Sequence, residues 1–309
     1  MSKIYDMIII GGGPAGYTAA LYASRAGLDT LIIERISVGG QMAITDIIDN
    51  YPGFEEGVDG FTLGMKMQAG AERFGAKTEY AEVTSVEFKD KIKKVITSSR
   101  EFLSKTVVIA TGANPKELGI KGEEEFIARG IHYCAHCDGR FYKNKTVAVI
   151  GGGNTAVSDA LYLSNLAKKV YLIHRRDELR ATKIYHEPLL KAENIELVLN
   201  STVSEIEHDG RVSGIKIKNT VSGCESSLLL DGIFVSIGRK PATELFKGQI
   251  DLDGSGYIIA DESTKTNVDG VFAVGDVRAK ALRQIVTAVS DGAVAAHFAE
   301  EYISLGFRD

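Results

Sequence analysis

One pattern occurs twice in this chain and leaves few folds open to it. Residues 5–35 read YDMIIIGGGPAGYTAALYASRAGLDTLIIER, and residues 145–175 read KTVAVIGGGNTAVSDALYLSNLAKKVYLIHR. Each copy runs from an apolar stretch through a glycine turn into a segment with apolar residues at helical spacing. These are Ala19, Ala20 and Ala23 in the first copy and Ala156, Ala160 and Leu161 in the second. A second apolar stretch follows in both. Each copy therefore predicts a strand, a helix and a parallel strand.

The register is shared. Gly11 precedes Glu34 by 23 residues (34 − 11), and Gly151 precedes His174 by the same 23 (174 − 151). Glu34 and His174 are thus expected at one equivalent place, the end of the second strand. Three further apolar stretches close on glycine: TVVIATGA at 106–113, FVSIGRKP at 234–241 and TNVDGVFAVGD at 266–276. The polar segment NPKELGIKGEEEFIARG at 114–130 reads as a linker. The predicted class is α/β, with two Rossmann-like, three-layer dinucleotide-binding domains, the second inserted in the first. The expected bounds are 1–114 with 246–309 for a discontinuous first domain and 117–244 for the second.

Composition narrows the function. A chain of 309 residues with 44% apolar and 25% charged side chains is ordinary for globular folding. The net charge of −5 and the absence of a long basic run give no nucleic-acid footprint. No apolar run approaches the ~18 residues that span a bilayer, and MIII breaks into GGG too early for a secretory signal. No membrane partner is expected, and the expected compartment is cytoplasmic. Three cysteines do not make a disulfide scaffold, and in a reducing compartment a disulfide that forms is usually catalytic or sensing.

GGGPAG places Gly11, Gly13 and Gly16 as G-x-G-x-x-G between a strand and a helix. The first glycine makes the turn, the second admits a pyrophosphate to the backbone, and the third lets helix and strand pack. Glu34 suits a ribose diol. GGGNTA gives the G-x-G-x-x-A variant with Gly151, Gly153 and Ala156. Where the first copy has an acid, the second has His174-Arg175-Arg176, with Arg180 beyond. A carboxylate there would repel a 2′-phosphate, whereas guanidinium groups clamp one. The second site is therefore read as one for NADPH, and an acidic and a basic site together suggest FAD plus NADPH.

YCAHCDG, residues 133–139, holds two of the three cysteines. Three readings compete. A zinc site needs four ligands, and here they would crowd into one turn with His132 or His136. Two inert buried thiols are a second reading. The third is a redox-active disulfide, since two intervening residues let the sulfurs meet across a helical turn and Asp138 is placed to move a proton. Cys224, in TVSGCESS, reads as a turn residue without function.

The combination of GGGPAGYTAALYASRAG, GGQM, NYPGF, ATGA, CAHCDG, GGGNTA, HRRDELRA, VFAVGDV and Arg283-Gln284 resembles the low-molecular-weight, bacterial-type thioredoxin reductases almost end to end. These are two-dinucleotide-binding flavoproteins. The resemblance implies FAD lined by Gly11, Gly13, Ala15, Gly16, Glu34, Gln41, Asn50, Asp276, Arg283 and Gln284. It implies NADPH held by Gly153, Asn154, Thr155, His174, Arg175, Arg176 and Arg180. Cys137 would be the sulfur facing the flavin, Cys134 the one exchanging with thioredoxin, and Asp138 the acid–base residue. No metal is implied, and a homodimer is. The chain departs from the family at Ala135-His136, where many relatives have Ala-Thr, and at Ser158-Asp159, where the family often has two glutamates. The rival expectations are a ferredoxin-fed thioredoxin reductase, a peroxiredoxin-reductase component, and a non-enzymatic NADPH-binding or redox-sensing module.

Overall fold

The computed structural model describes residues 3–45 and 47–306, with His186 described by its backbone. The chain divides into two compact units, Met1–Asn114 with Lys240–Asp309, and Pro115–Arg239.

In the first unit, β1 (Ile4–Ile10) is apolar without alternation from Met7 onward, where it is covered on both faces. Met7 and Ile9 join a core with Ala19, Ala20 and Ala23 of α1 (Pro14–Arg25). Ile8 and Ile10 join the opposite core with Leu31 and Ile33 of β2 (Thr30–Glu34). Then come α2 (Gly60–Glu72), β3 (Lys77–Tyr80), β4 (Val83–Glu87), β5 (Lys93–Thr97) and β6 (Glu101–Ile109). Asp59 starts α2 by accepting a hydrogen bond from the Thr62 N–H at 2.7 Å, which satisfies one of the amides a helix start leaves over. The sheet order is β3-β2-β1-β6-β5-β4, parallel from β3 to β6 and antiparallel beyond.

After β7 (Ala113–Pro115) come the elements of the second unit: β8 (Ile131–His132), α3 (Ala135–Asp138), β9 (Thr146–Ile150), α4 (Asn154–Ser164), β10 (Lys169–Ile173), α5 (His186–Lys191) and β11 (Ile195–Val198). An antiparallel sheet of β12 (Ser201–His208), β13 (Val212–Asn219) and β14 (Glu225–Leu229) follows, and β15 (Gly232–Val235) returns to a parallel sheet ordered β11-β10-β9-β15-β8. Like β1, β9 feeds two cores: Val147 and Val149 on one face, Ala148 and Ile150 on the other.

The chain ends with β16 (Arg239–Pro241), β17 (Val271–Ala273), which pairs in parallel with β6, and α6 (Ile285–Gly306). Gly292 lets α6 press on α1, since a Cβ there would lie 2.3 Å from the Ala15 carbonyl oxygen.

The sequence repeat is a structural repeat. The Gly11 N–H donates to the Ile33 carbonyl at 2.9 Å, and the Gly151 N–H to the Ile173 carbonyl at 3.0 Å. Ala110 and Ser236, which follow β6 and β15, donate in the same way to Ile10 and Ile150.

One expectation changes. The stretch read as a linker is largely packed structure of the second unit. Glu123 is 3% exposed, and its carboxylate accepts from the Leu118 and Gly119 N–H groups and from the Tyr133 hydroxyl, each at 2.8 Å. Phe126 enters the core beside Ile131. A run of three glutamates looks solvated in sequence, and only the tertiary fold supplies the donors that bury one of them.

Candidate functional site

The first glycine turn is shaped by close backbone contact. Gly11 has φ +110°, and a Cβ there would fall 2.4 Å from the Ala110 carbonyl oxygen. A Cβ on Gly16 would fall 2.0 Å from the Gly11 oxygen, so helix and strand approach as closely as the motif requires. Gly13 is different, because a Cβ there would meet nothing within 4 Å. It caps α1 with no side-chain hydrogen bond, and Pro14 opens the helix. An uncapped helix start facing open space at the carboxyl end of a parallel sheet suits an anion such as a pyrophosphate.

The other residues expected around this turn are assembled near it or near one another. The Glu34 carboxylate accepts from the Gly12 N–H at 2.7 Å and from the Ile36 N–H at 3.0 Å, which holds it at the end of β2. The Gly39 N–H donates to the Gly12 carbonyl at 2.8 Å, bringing the segment with Gln41 to the turn. Gln41 then donates to Asn114 at 3.2 Å. A Cβ on Gly275 would come 3.1 Å from that of Ala15, so the turn bearing Asp276 lies against the start of α1. Arg283 donates to the carbonyls of Asp276 and Arg278 and lies 4.0 Å from the Tyr257 ring centroid, while Asn50 donates to Gln284 at 3.1 Å.

Sequence reading missed what holds the Gly275 turn. Asp291, on α6, accepts from the Gly275 N–H at 2.8 Å, from Arg278 Nε and Nη2 at 3.0 and 2.9 Å, and from Lys280 Nζ at 2.7 Å. Burial works to raise the pKa of Asp291. The hydrogen bonds from Arg278, Lys280 and Gly275 outweigh it and hold the group below the ordinary carboxylate value. No local motif announces a carboxylate that lies 16 residues from the glycine it holds.

The second turn repeats the first with different chemistry. Gly151 has φ +154°, and its Cβ would lie 2.4 Å from the Ser236 carbonyl oxygen. Gly153 again caps a helix without a side-chain bond and again faces open space. Asn154 and Thr155 are exposed on the first turn of α4. Asn154 accepts from the Thr182 N–H at 2.8 Å, and the Arg180 N–H donates to the Gly152 carbonyl at 2.7 Å, so the segment after β10 folds onto the turn.

His174 takes the position that Glu34 takes in the first copy. Its ring is buried and packs so tightly on Gly152 that a Cβ there would meet Nδ1 at 2.3 Å. Burial lowers the pKa of His174, and Arg180, Arg176 and Arg175 lower it further. Three exposed guanidinium groups thus direct their field at the end of β10, where a further anionic group would be stabilised. Both turns fit a dinucleotide on these observations, and the second fits one carrying an extra phosphate.

Cys134 and Cys137 form a disulfide with Cα atoms 5.3 Å apart. Cys134 precedes the single-turn helix α3 and Cys137 lies within it, and the Cys137 and Asp138 N–H groups donate to the Cys134 carbonyl. Asp138 Oδ2 lies 3.1 Å from His132 Nδ1, and His132 Nε2 lies 2.7 Å from the Tyr142 hydroxyl. The exposed His136 ring sits 4.2 Å from that of Tyr162 on α4, so the disulfide turn lies on the helix that the second glycine turn opens. On the same helix, Asp159 accepts from Ser236 Oγ at 2.5 Å, and burial raises its pKa against the pull of that bond. Cys224 is free and exposed.

The model of the pyridine nucleotide-disulphide oxidoreductases matches residues 5–292. The chain belongs to that family. It is 48% identical to the thioredoxin reductase of Listeria monocytogenes over 302 residues, 97% of this chain and 94% of that protein. It is 44% identical to the thioredoxin reductase of Peptoclostridium acidaminophilum over the full length of both. Among solved structures, the thioredoxin reductase of Streptococcus pyogenes superposes with a TM-score of 0.91 at 42% identity, covering 98% of this chain and 99% of the other.

Proposed function

We propose that this chain is a thioredoxin reductase that uses NADPH and FAD to reduce the disulfide of thioredoxin. The observation that carries the reading is the Cys134–Cys137 disulfide, placed on a helical turn directly before the second nucleotide turn and with a carboxylate, Asp138, next in sequence. Full-length relatives that bear the name at 44–48% identity support it. The first unit would hold FAD through Gly11, Gly13, Ala15, Gly16, Glu34, Gln41, Asn50, Asp276, Arg283 and Gln284. The second would hold NADPH through Gly153, Asn154, Thr155, His174, Arg175, Arg176 and Arg180.

When bound, the cofactors supply hydride transfer from the nicotinamide and two-electron delivery to a disulfide. The protein's part is to orient them and to run the exchange. With the pair reduced, the Cys134 thiolate attacks one sulfur of the thioredoxin disulfide, and the displaced sulfur leaves as a thiolate that takes up a proton. Cys137 then attacks Cys134 in the mixed disulfide, and the second thioredoxin sulfur leaves and is protonated. The pair ends oxidised and thioredoxin ends as a dithiol. Asp138 would hold and move the protons.

Two finer readings accompany this one. Exposed Phe61 and Met65, one turn apart on α2, support a homodimer formed through the first unit. An exchange-active disulfide in a chain with only three cysteines supports a reducing, cytoplasmic setting. Among the described residues no helix is long and apolar enough to cross a membrane.

The test is an anaerobic NADPH titration followed by visible absorption, with oxidised thioredoxin then added. Bleaching of the flavin and its recovery as thioredoxin is reduced are expected. A flavin left oxidised by NADPH but bleached by reduced ferredoxin would replace the donor assignment.

A further inference from the structure

Beneath the disulfide turn lies a buried histidine that the exchange chemistry above does not use. His132 is 7% exposed. Its ring stacks on Phe234 at 5.3 Å and meets Tyr142 edge-on at 5.2 Å, so packing fixes the ring plane. Both ring nitrogens are engaged: Nδ1 with Asp138 Oδ2 at 3.1 Å and Nε2 with the Tyr142 hydroxyl at 2.7 Å.

For a neutral imidazole beside an ionised carboxylate, hydrogen-bond logic selects one arrangement of protons. A neutral imidazole has one donor and one acceptor nitrogen. An ionised carboxylate can only accept, so the nitrogen facing Asp138 must donate. The nitrogen facing Tyr142 then accepts, and the phenol must donate to it. Tyr142 is suited to that role, because burial, with the charge of Asp138 adding to it, pushes its pKa up to about 12. The chain therefore runs from the Tyr142 O–H to Nε2, with Nδ1 as the proton-bearing nitrogen 3.1 Å from Asp138 Oδ2.

We propose that His132 is a positioning residue for Asp138, its imidazole N–H fixing one carboxylate oxygen so that the other serves the Cys134–Cys137 pair during thiol–disulfide exchange. The bond uses Oδ2 and leaves Oδ1 to give and take protons. A carboxylate on a short side chain at the end of a one-turn helix can occupy more than one staggered rotamer, and a buried donor that packing holds in place selects one. Tyr142 contributes at one remove, by keeping the proton on Nδ1. This rests on reading the cysteine pair as the redox centre.

The test uses the full chain, chemically reduced with dithiothreitol, freed of the reductant and mixed with oxidised thioredoxin in single-turnover stopped flow, so that no step depends on NADPH. His132→Ala removes the donor, and His132→Asn restores an N–H near the Nδ1 position. The alanine variant is expected to exchange about tenfold more slowly than the unaltered protein, with the half-saturating thioredoxin concentration unchanged. The asparagine variant is expected to return to within about threefold, on the scale of a well-placed general acid–base group. Equal rates for His132→Ala and the unaltered protein would overturn the positioning role and leave the enzyme assignment standing. So would an asparagine variant as slow as the alanine one. An unaltered protein that does not exchange at all would overturn both. If the alanine chain does not fold, ¹⁵N shifts of the His132 ring decide: a protonated Nδ1 and bare Nε2 support the proposal, and the reverse tautomer refutes it.

Discussion

Asp291 offers the sharpest energetic test of how the Gly275–Asp276 turn is held. Its side chain is 8% exposed, and the two cations it binds, Arg278 and Lys280, are 4% and 8% exposed. Replacing Asp291 with alanine would leave both cations buried without their counter-charge and orphan the Gly275 N–H. Removing one partner of a buried, hydrogen-bonded ion cluster costs about 3–5 kcal/mol. For a unit of this size each kcal/mol lowers the melting temperature by roughly 2–4 °C, so Asp291→Ala should melt roughly 6–20 °C lower. Asp291→Asn keeps the shape and loses the charge, and should fall between.

The sign of the pH dependence follows from the same bonds. The folded pKa of Asp291 lies below its ordinary value. Its contribution is therefore fully present above the unfolded pKa of about 3.9 and is lost as pH falls through the folded value. The gap between wild type and Asp291→Asn should stay constant through neutral pH and close only in acid. The assay is thermal unfolding by circular dichroism at several pH values, with flavin fluorescence following cofactor release. A neutral-pH gap for Asp291→Ala below about 2 °C would refute the argument that this cluster holds the turn.

Other substitutions probe the exchange centre and the arginine cluster. Cys134→Ser should retain flavin and its bleaching by NADPH while thioredoxin turnover is abolished; retained turnover in a coupled disulfide assay would remove Cys134 from the exchange. Asp138→Asn should slow thioredoxin reduction by about a hundredfold with normal flavin content, the usual scale for a general acid–base group, and an unchanged kcat would remove its proton-transfer role. Arg175→Ala combined with Arg176→Ala should raise KM for NADPH by about tenfold or more and barely change that for NADH, because only the 2′-phosphate distinguishes the two. Equal changes for both nucleotides would show that these arginines read something else.

Much of this molecule was legible along the chain. The unbroken run Met7–Ile10 marked a strand buried on both faces, and its echo at Val147–Ile150 marked another. The equal spacing from Gly11 to Glu34 and from Gly151 to His174 foretold one equivalent place at the end of the second strand, and the structure adds that both side chains there meet the second residue of their glycine turn, Gly12 and Gly152. These features are local, because a strand–turn–helix unit fixes its own geometry over some thirty residues, and side-chain periodicity carries the message.

Other features depended on partners distant in sequence. The glutamate run at 123–125 looked like a solvated linker until Leu118, Gly119 and Tyr133 supplied donors to bury Glu123. Asp291 has no meaning in its own helix and acquires one only when α6 brings it beneath Gly275. His132 drew notice in sequence only as a possible metal ligand crowded beside two cysteines. The fold instead sets it between Asp138 and Tyr142 and under Phe234. Periodicity and motif spacing are properties of neighbours along the chain, so the sequence by itself determined the two nucleotide folds and the cysteine pair. Which buried polar group finds which partner is decided by desolvation, which only tertiary packing imposes.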